Sequence, residues 1–286
     1  MPEMPEVDAL VAHLRERCVG AVVAGIELGS FSVLKTVDPP LDSFAGLSVT
    51  DVRRHGKFID LDVDGLHLVF HLAKAGWLRW SDRFSPARIK MGNGPLALRV
   101  RLDTGDGPTA GFDLTEAGTR KGLAVYAVRD VAEVPGVAAL GPDPLADGFD
   151  LRPLLARRMQ VKRLLRDQKI VAGIGNAYSD EILHAARLSP FAIAENLDED
   201  QVAALAAAVR DVLSAAVSEA HGKPAAELKD DKRTRMRVHG RTGQPCPVCG
   251  DTVAEVAFSD SSLQYCPTCQ TGGARLKDRS TSKFLK

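Results

Sequence analysis

Cysteine and aromatic residues are scarce in this chain, and net charge is absent. Five cysteines in 286 residues are too few for a secreted scaffold stapled by disulfides. Aromatic residues make up 5% of the sequence, so aliphatic side chains must build most of any core. Thirty-seven basic residues balance thirty-seven acidic ones, which excludes a simple polycation held to its partner by bulk charge. No uninterrupted apolar run approaches the roughly 18–20 residues needed to span a bilayer, so no membrane partner is expected. Internal repeats and low-complexity tracts are also missing. No secretory segment opens the chain, and a reducing cytoplasm is the expected setting.

What the chain does have is enough apolar sequence, 45%, to bury a sizeable core. Four of its cysteines form one module: Cys246 and Cys249, sixteen residues, then Cys266 and Cys269. Two thiolate pairs, each with a two-residue spacer, can close a tetrahedron around one zinc ion, provided the intervening stretch turns back as a hairpin. A ribbon this small has almost no core. Metal coordination would supply most of its folding free energy, on the order of 10 kcal/mol. The fifth cysteine, Cys18, reads as a small packed side chain rather than a nucleophile.

Periodicity divides the remainder. Val7, Leu10, Val11 and Leu14 recur at helical spacing, giving one amphipathic helix over residues 5–17. Short β-branched or alternating runs follow at 22–28, 47–53, 57–63, 66–72, 96–102 and 123–128, separated by Gly, Asp and Pro. That spacing suggests a β-sandwich or barrel against the leading helix. The sequence Gly141-Pro142-Asp143-Pro144 marks a break. Helical periodicity then takes over at 151–168, 177–186 and 200–220. Between the first two of these helices, Gly173, Gly175 and Asn176 suit either a tight turn with amides aimed at an anion or a plain helix-helix turn.

Charge is unevenly placed. Arg157, Arg158, Lys162, Arg163, Arg166 and Lys169 form one basic cluster, and Lys232, Arg233, Arg235 and Arg237 form a second. Arg275, Lys277, Arg279, Lys283 and Lys286 form a third, in the tail. Each alone is an ordinary solvated face. Three flanking a zinc ribbon point to a polyanion.

In order along the chain stand Met1-Pro2-Glu3-Met4-Pro5-Glu6-Val7, Gly56-Lys57-Phe58, Val171-Ala172-Gly173-Ile174-Gly175-Asn176-Ala177-Tyr178, and His239-Gly240-Arg241 before the cysteines. This set resembles the formamidopyrimidine-DNA glycosylase / endonuclease VIII family of base-excision repair enzymes, over nearly the whole chain. The resemblance implies an α+β multidomain fold. Its parts are an N-terminal β-sandwich with leading helix (1–135), a helix–two-turns–helix domain (145–240), a zinc-finger hairpin (241–270) and a basic tail (271–286). It implies a monomer acting on damaged duplex DNA in the cytoplasm, associated with the nucleoid while bound.

It also implies roles for individual residues. Once Met1 is removed, Pro2 presents a secondary amine that titrates near pH 8 and is partly nucleophilic at neutral pH. Glu3 is suited to move protons beside it. Lys57, His71, Lys162, Asn176, Tyr178 and Arg241 resemble residues that face or support backbone phosphates, and Glu181 a carboxylate that organises them. The metal ligands are Cys246, Cys249, Cys266 and Cys269.

Three departures bear on the substrate. The finger position that carries arginine in the family is Ser261 here, beside Asp260. The wedge position after His71-Leu72 holds Lys74 instead of methionine. The void-filling loop is Glu116 to Gly122, with Arg120 and Lys121 but no aromatic. Lesions that leave the stack cheaply are therefore expected to be favoured. Two other readings compete: a non-catalytic damaged-DNA binding protein on the same scaffold, and a zinc-ribbon RNA-binding factor, which would leave the N-terminal motif unexplained.

Overall fold

The computed structural model describes residues 2–92, 94–105, 109–118, 121–259 and 261–276. Arg120, Asp260, Lys277, Arg279, Lys283 and Lys286 lie outside the described residues.

Helix α1 (Met4–Cys18) begins at a reciprocal cap. Glu3 is extended, its side chain accepts from the Glu6 backbone, and its own N–H donates to the Glu6 carboxylate at 2.8 Å. The apolar stripe read from the sequence is buried, with Leu10 and Leu14 fully enclosed. The helix runs through Cys18, whose thiol burial pushes up to about 12. Cys18 is an inert packed group at physiological pH.

Two four-stranded antiparallel sheets follow. One has the order β1 (Val22–Leu28), β6 (Leu96–Asp103), β7 (Ala110–Glu116), β5 (Gly76–Ser81). The other has the order β2 (Val49–His55), β3 (Phe58–Val63), β4 (Leu66–His71), β8 (Ala124–Val128). Val100 and Phe112 from one sheet, Leu61 and Phe70 from the other, and Leu10 of α1 share one hydrophobic cluster. This is the sandwich. Six strands were legible in the sequence; β5 and β7 were not. Both contain glycines where the backbone is crowded: a Cβ at Gly111 would lie 2.0 Å from the Val100 carbonyl oxygen, and one at Gly76 2.2 Å from that of Leu72. Those glycines dilute the alternation that identifies a strand.

The chain divides into two compact units, Met1–Leu140 with Glu219–Lys229, and Gly141–Ser218 with Asp230–Lys286. In the first, a turn of helix, α2 (Pro135–Ala138), closes over the outer sheet face, where Gly136 leaves room for the Phe58 ring. The returning segment also contributes to this unit's core through Ala220, Ala225 and Leu228. There the Trp77 indole N–H donates to the Ala225 carbonyl at 3.1 Å.

In the second unit, the single helix expected over 151–168 is broken. A 3₁₀ turn, Arg152–Leu155, precedes a shorter α3 (Val161–Arg166). Between them the backbone pairs with the strap at 192–194, through Val161 N–H to Ala192 O and Ala194 N–H to Met159 O, both at 2.8 Å. Those bonds take the place of a helical ladder over residues 156–160. Helix α4 (Asn176–Ala185) follows the expectation, as does α5 (Glu199–Ala220). Among the described residues α5 alone is long and apolar enough, by length and composition, to cross a membrane. Its burial is one-sided, however: Leu205, Val209 and Leu213 are buried while Arg210 and Asp211 are exposed. Helix α6 (Leu228–Arg235) was not expected, because its highly charged sequence carries little apolar period. The finger contains β9 (Ala254–Ala257), β10 (Ser262–Tyr265) and α7 (Pro267–Thr271).

Candidate functional site

The N-terminal unit gathers charged side chains at one edge. The β2–β3 hairpin turns through Gly56, at φ +56°, and Lys57, with His55 opposite Phe58. Glycine suits the first position of such a two-residue turn. Arg54 ties the turn to α1: its Nε donates to Asp8 at 3.1 Å and its Nη1 to the Gly56 carbonyl at 3.3 Å. Lys57 is therefore held close to the N-terminal half of α1, and it is buried rather than extended into solvent. Pro2, Glu3 and Glu6 are buried at the helix start.

His71, at the end of β4, pairs with Phe58 across the sheet, their rings 4.8 Å apart. Burial, reinforced by the Lys57 charge, lowers its pKa to about 4. The imidazole is neutral at physiological pH, and its Nδ1 accepts from the Ala73 N–H at 3.2 Å. Lys74 is exposed on the next turn. The Glu116 carboxylate draws the base of the following loop shut by accepting from Gly122 and Leu123 N–H at 2.8–3.0 Å. Lys121 reaches the Gly94 carbonyl at 2.6 Å. The remaining member of that loop's basic pair, Arg120, is outside the described residues.

The second unit is organised around α4. Two adjacent carboxylates at residues 180 and 181 bind the approach to the finger. Glu181 accepts from the backbone N–H groups of Arg237, Val238 and His239 at 2.8, 3.0 and 2.8 Å. Burial pushes its carboxyl up, and the three amides work against that shift. Asp180 accepts from Lys162 Nζ at 2.6 Å, pairs with His239 Nδ1 at 2.7 Å, and receives the Gln264 N–H at 3.3 Å.

Lys162 is 4% exposed, and its ammonium bonds to Asp180, to Ser179 Oγ at 2.8 Å and to the Asn176 carbonyl at 3.3 Å. It supports the turn from inside. Tyr178 is also inward, 2% exposed, with Lys232 4.5 Å above its ring. Asn176 is half-buried at the start of α4, with its Nδ2 donating to the Ser262 carbonyl at 2.7 Å. Its Oδ1 has no hydrogen-bond partner among the described residues. Arg241 is half-buried, its Nε bonded to Gln244 at 3.0 Å. Ser261 closes the β9–β10 turn, its carbonyl accepting from the Phe258 N–H at 2.8 Å. Asp180 has no spacing signature that would mark it in the sequence, whereas the place of Glu6 three residues after Glu3 is a capping signal.

The four sulfurs of Cys246, Cys249, Cys266 and Cys269 lie within 4.8 Å of one another. The Cys246–Cys269 and Cys249–Cys266 separations are 3.9 and 3.3 Å. A tetrahedron of thiolates at the usual zinc–sulfur distance has edges of roughly 3.8 Å, so the donor set fits zinc in number, type and spacing. Asp251 holds the two knuckles in register, accepting from the Thr268 N–H and hydroxyl at 3.1 and 2.9 Å. Behind the ligands, His184 of α4 places Nε2 3.3 Å from Cys246 Sγ. Burial and the nearby charges of Arg237 and Arg187 hold its pKa below the ordinary value.

Comparison with known proteins agrees along the length of the chain. Residues 1–121 match the formamidopyrimidine-DNA glycosylase N-terminal domain, residues 140–226 the H2TH domain of the same glycosylase, and residues 243–272 a zinc finger found in FPG and IleRS. The finger match and the clustered thiols make this a structural site for one zinc ion. An uncharacterized formamidopyrimidine-DNA glycosylase-like protein of Mycobacterium tuberculosis is 56% identical over 158 residues, which is 54% of this chain and all of that protein. The formamidopyrimidine-DNA glycosylase of Moorella thermoacetica is 34% identical over 271 residues, 90% of this chain and 94% of the relative. The fold matches that of Lactococcus lactis Fpg solved with DNA containing an abasic site, at TM-score 0.81 and 23% identity, covering 94% and 99% of the two chains. The chain belongs to the formamidopyrimidine-DNA glycosylase family.

Proposed function

We propose that this protein is a base-excision repair DNA glycosylase with abasic-site lyase activity, working through the secondary amine of Pro2 on damaged duplex DNA. The observation that carries the reading is the buried start of α1, capped by Glu3 and Glu6 and drawn against the Lys57 hairpin by Arg54. The positive end of a helix and a burying environment both disfavour an ammonium, which leaves the amine lone pair available. Removal of Met1 exposes that amine. The Pro2 nitrogen bonds to the sugar C1′ as the bond from C1′ to the base breaks, and the base departs with the electron pair and takes up a proton. Opening of the sugar ring, with a proton delivered to the ring oxygen, gives a cationic iminium. The iminium acidifies C2′; loss of a C2′ proton drives expulsion of the 3′ phosphate. Glu3 is the group suited to deliver and collect these protons.

In the first unit the proposed backbone contacts are Lys57, His71, Lys74, Arg120 and Lys121. In the second unit the proposed backbone contacts are Asn176, Arg241 and Ser261, while Lys162 and Tyr178 act through the turn they support. Zinc contributes rigidity to the finger and no step in the reaction. Base extrusion costs a few kcal/mol. With an exposed lysine in place of an apolar wedge at residue 74 and serine in place of the finger arginine at 261, little restacking offsets that cost. Abasic sites and destabilised bases are therefore the preferred substrates. The protein acts as a monomer in the cytoplasm, on the nucleoid.

Borohydride trapping of tag-free protein on duplex DNA with one abasic site tests this directly. The expected result is a covalent adduct that disappears when the N-terminus is extended by an uncleaved tag. Tight binding without any adduct would overturn the enzyme and leave the binding protein.

A further inference from the structure

Helix α4 carries one buried polar residue that neither the phosphate-facing turn nor the proposed chemistry uses. His184 is 3% exposed, with Nε2 3.3 Å from Cys246 Sγ. Its Nδ1 is buried and has no hydrogen-bond partner among the described residues. A metal-bound thiolate has no proton to give and can only accept. The short contact is attractive if Nε2 carries the ring proton. With the proton on Nδ1 instead, a buried donor would be stranded at one end of the ring and two lone pairs would face each other at the other end. We infer that His184, protonated at Nε2, donates an N–H···S hydrogen bond to Cys246 and is the positioning residue that joins helix α4 to the zinc centre.

The rest of the helix supports this role. Asp180, Glu181 and His184 follow one another at i, i+1 and i+4, so they share a face of α4. Asp180 binds His239 and the Gln264 amide, Glu181 binds the amides of residues 237–239, and His184 reaches a metal ligand. The row runs from the approach to the finger into its centre. Four thiolates on one zinc ion leave an excess of negative charge on sulfur. An N–H donor withdraws part of it, orients the Cys246 side chain and slows attack on that sulfur. Partners of this kind are worth roughly 10–100-fold in metal affinity.

The test uses the full chain, and its readouts are independent of DNA cleavage, so failure here is distinguishable from failure of the glycosylase reading. In zinc-loaded protein with ¹⁵N-labelled histidine, the ring nitrogen shifts report the tautomer. Replacing zinc with ¹¹³Cd should add a coupling between the metal and the Nε2 proton through Cys246. A proton on Nδ1 would overturn the inference without any mutation. Two variants separate the hydrogen bond from packing. His184→Gln retains an N–H at the position of Nε2, whereas His184→Phe keeps the ring volume and loses the donor. Chelator competition should show zinc affinity falling roughly 10–100-fold in His184→Phe and far less in His184→Gln. In cobalt-substituted protein, the sulfur-to-metal charge-transfer band should move to lower energy in His184→Phe alone. Matching affinities and spectra for wild type and His184→Phe would refute the inference, and so would equal losses in the two variants. If His184→Phe does not fold, the wild-type tautomer decides.

Discussion

Asp180 holds the second unit together through one side chain, and its removal has a calculable cost. The Asp180 and Lys162 side chains are 0% and 5% exposed and 2.6 Å apart. Asp180→Ala removes the carboxylate from a buried ammonium that also donates to Ser179 Oγ and the Asn176 carbonyl. It also removes the acceptor for the Gln264 amide and the partner of His239. Breaking a buried pair from one side typically costs about 3–5 kcal/mol. In a unit of this size that is a fall in Tm on the order of 10–20 °C. Lys162→Met removes the charge from the other side and should also destabilise. The double variant Lys162→Met/Asp180→Ala should cost much less than the sum, because neither charge is left without its partner; coupling of about 2 kcal/mol or more is expected. The assay is thermal and urea unfolding of zinc-loaded protein followed by far-UV circular dichroism. Trp77 and Trp80, the chain's two tryptophans, both lie in the first unit and report on it instead. A loss below about 1 kcal/mol for Asp180→Ala, or additive single variants, would refute the buried-pair account.

Other perturbations probe the remaining parts. Cys266→Ser should release zinc and unfold the finger, with metal content measured by mass spectrometry; a full complement of tightly held zinc would contradict the four-thiolate site. His71 titrates near 4 in the folded protein against an ordinary 6.5, chiefly because it is buried. Between those values the unfolded chain takes up a proton that the folded one refuses, so stability falls as pH drops through the window, by about 3 kcal/mol at its acid end. His71→Asn should remove that share of the slope in urea titrations from pH 7 to 4, and an unchanged slope would show that His71 is protonated in the native state. Ser261→Arg should restore a cation to the hairpin turn, tightening abasic-DNA binding and steepening its salt dependence by about one phosphate contact. A salt slope identical to wild type would remove residue 261 from the interface.

Most of the frame was legible because local chemistry and tertiary structure agree. The stripe of Val7, Leu10, Val11 and Leu14 made α1 visible, and the cysteine spacing made the metal site visible. Strands β5 and β7 were hidden because Gly76 and Gly111 answer to backbone crowding across the sheet, which no one-dimensional period records. The long helix expected at 151–168 failed for a similar reason: its apolar period survives, but strap residues 192–194 take the backbone hydrogen bonds. Basic composition did not reveal the partner of Lys162. A lysine inside an apparent cationic cluster gives no sign of a buried carboxylate, and Asp180 is eighteen residues away in sequence. Which charges meet solvent and which meet each other is a property of the packed molecule alone.

The return of Glu219–Lys229 to the first unit affects how the protein must be made. Ala220, Ala225 and Leu228 complete a hydrophobic cluster otherwise built from the N-terminal sandwich, and the Ala225 carbonyl receives the Trp77 indole. Chains generally fold from the N-terminus as they leave the ribosome. Here the sandwich emerges long before its last core residues, so it must wait with apolar surface uncovered while the helices of the next unit are synthesised. A nascent chain stalled near Leu140 would expose that gap to chaperones and proteases, and release past Leu228 would close it.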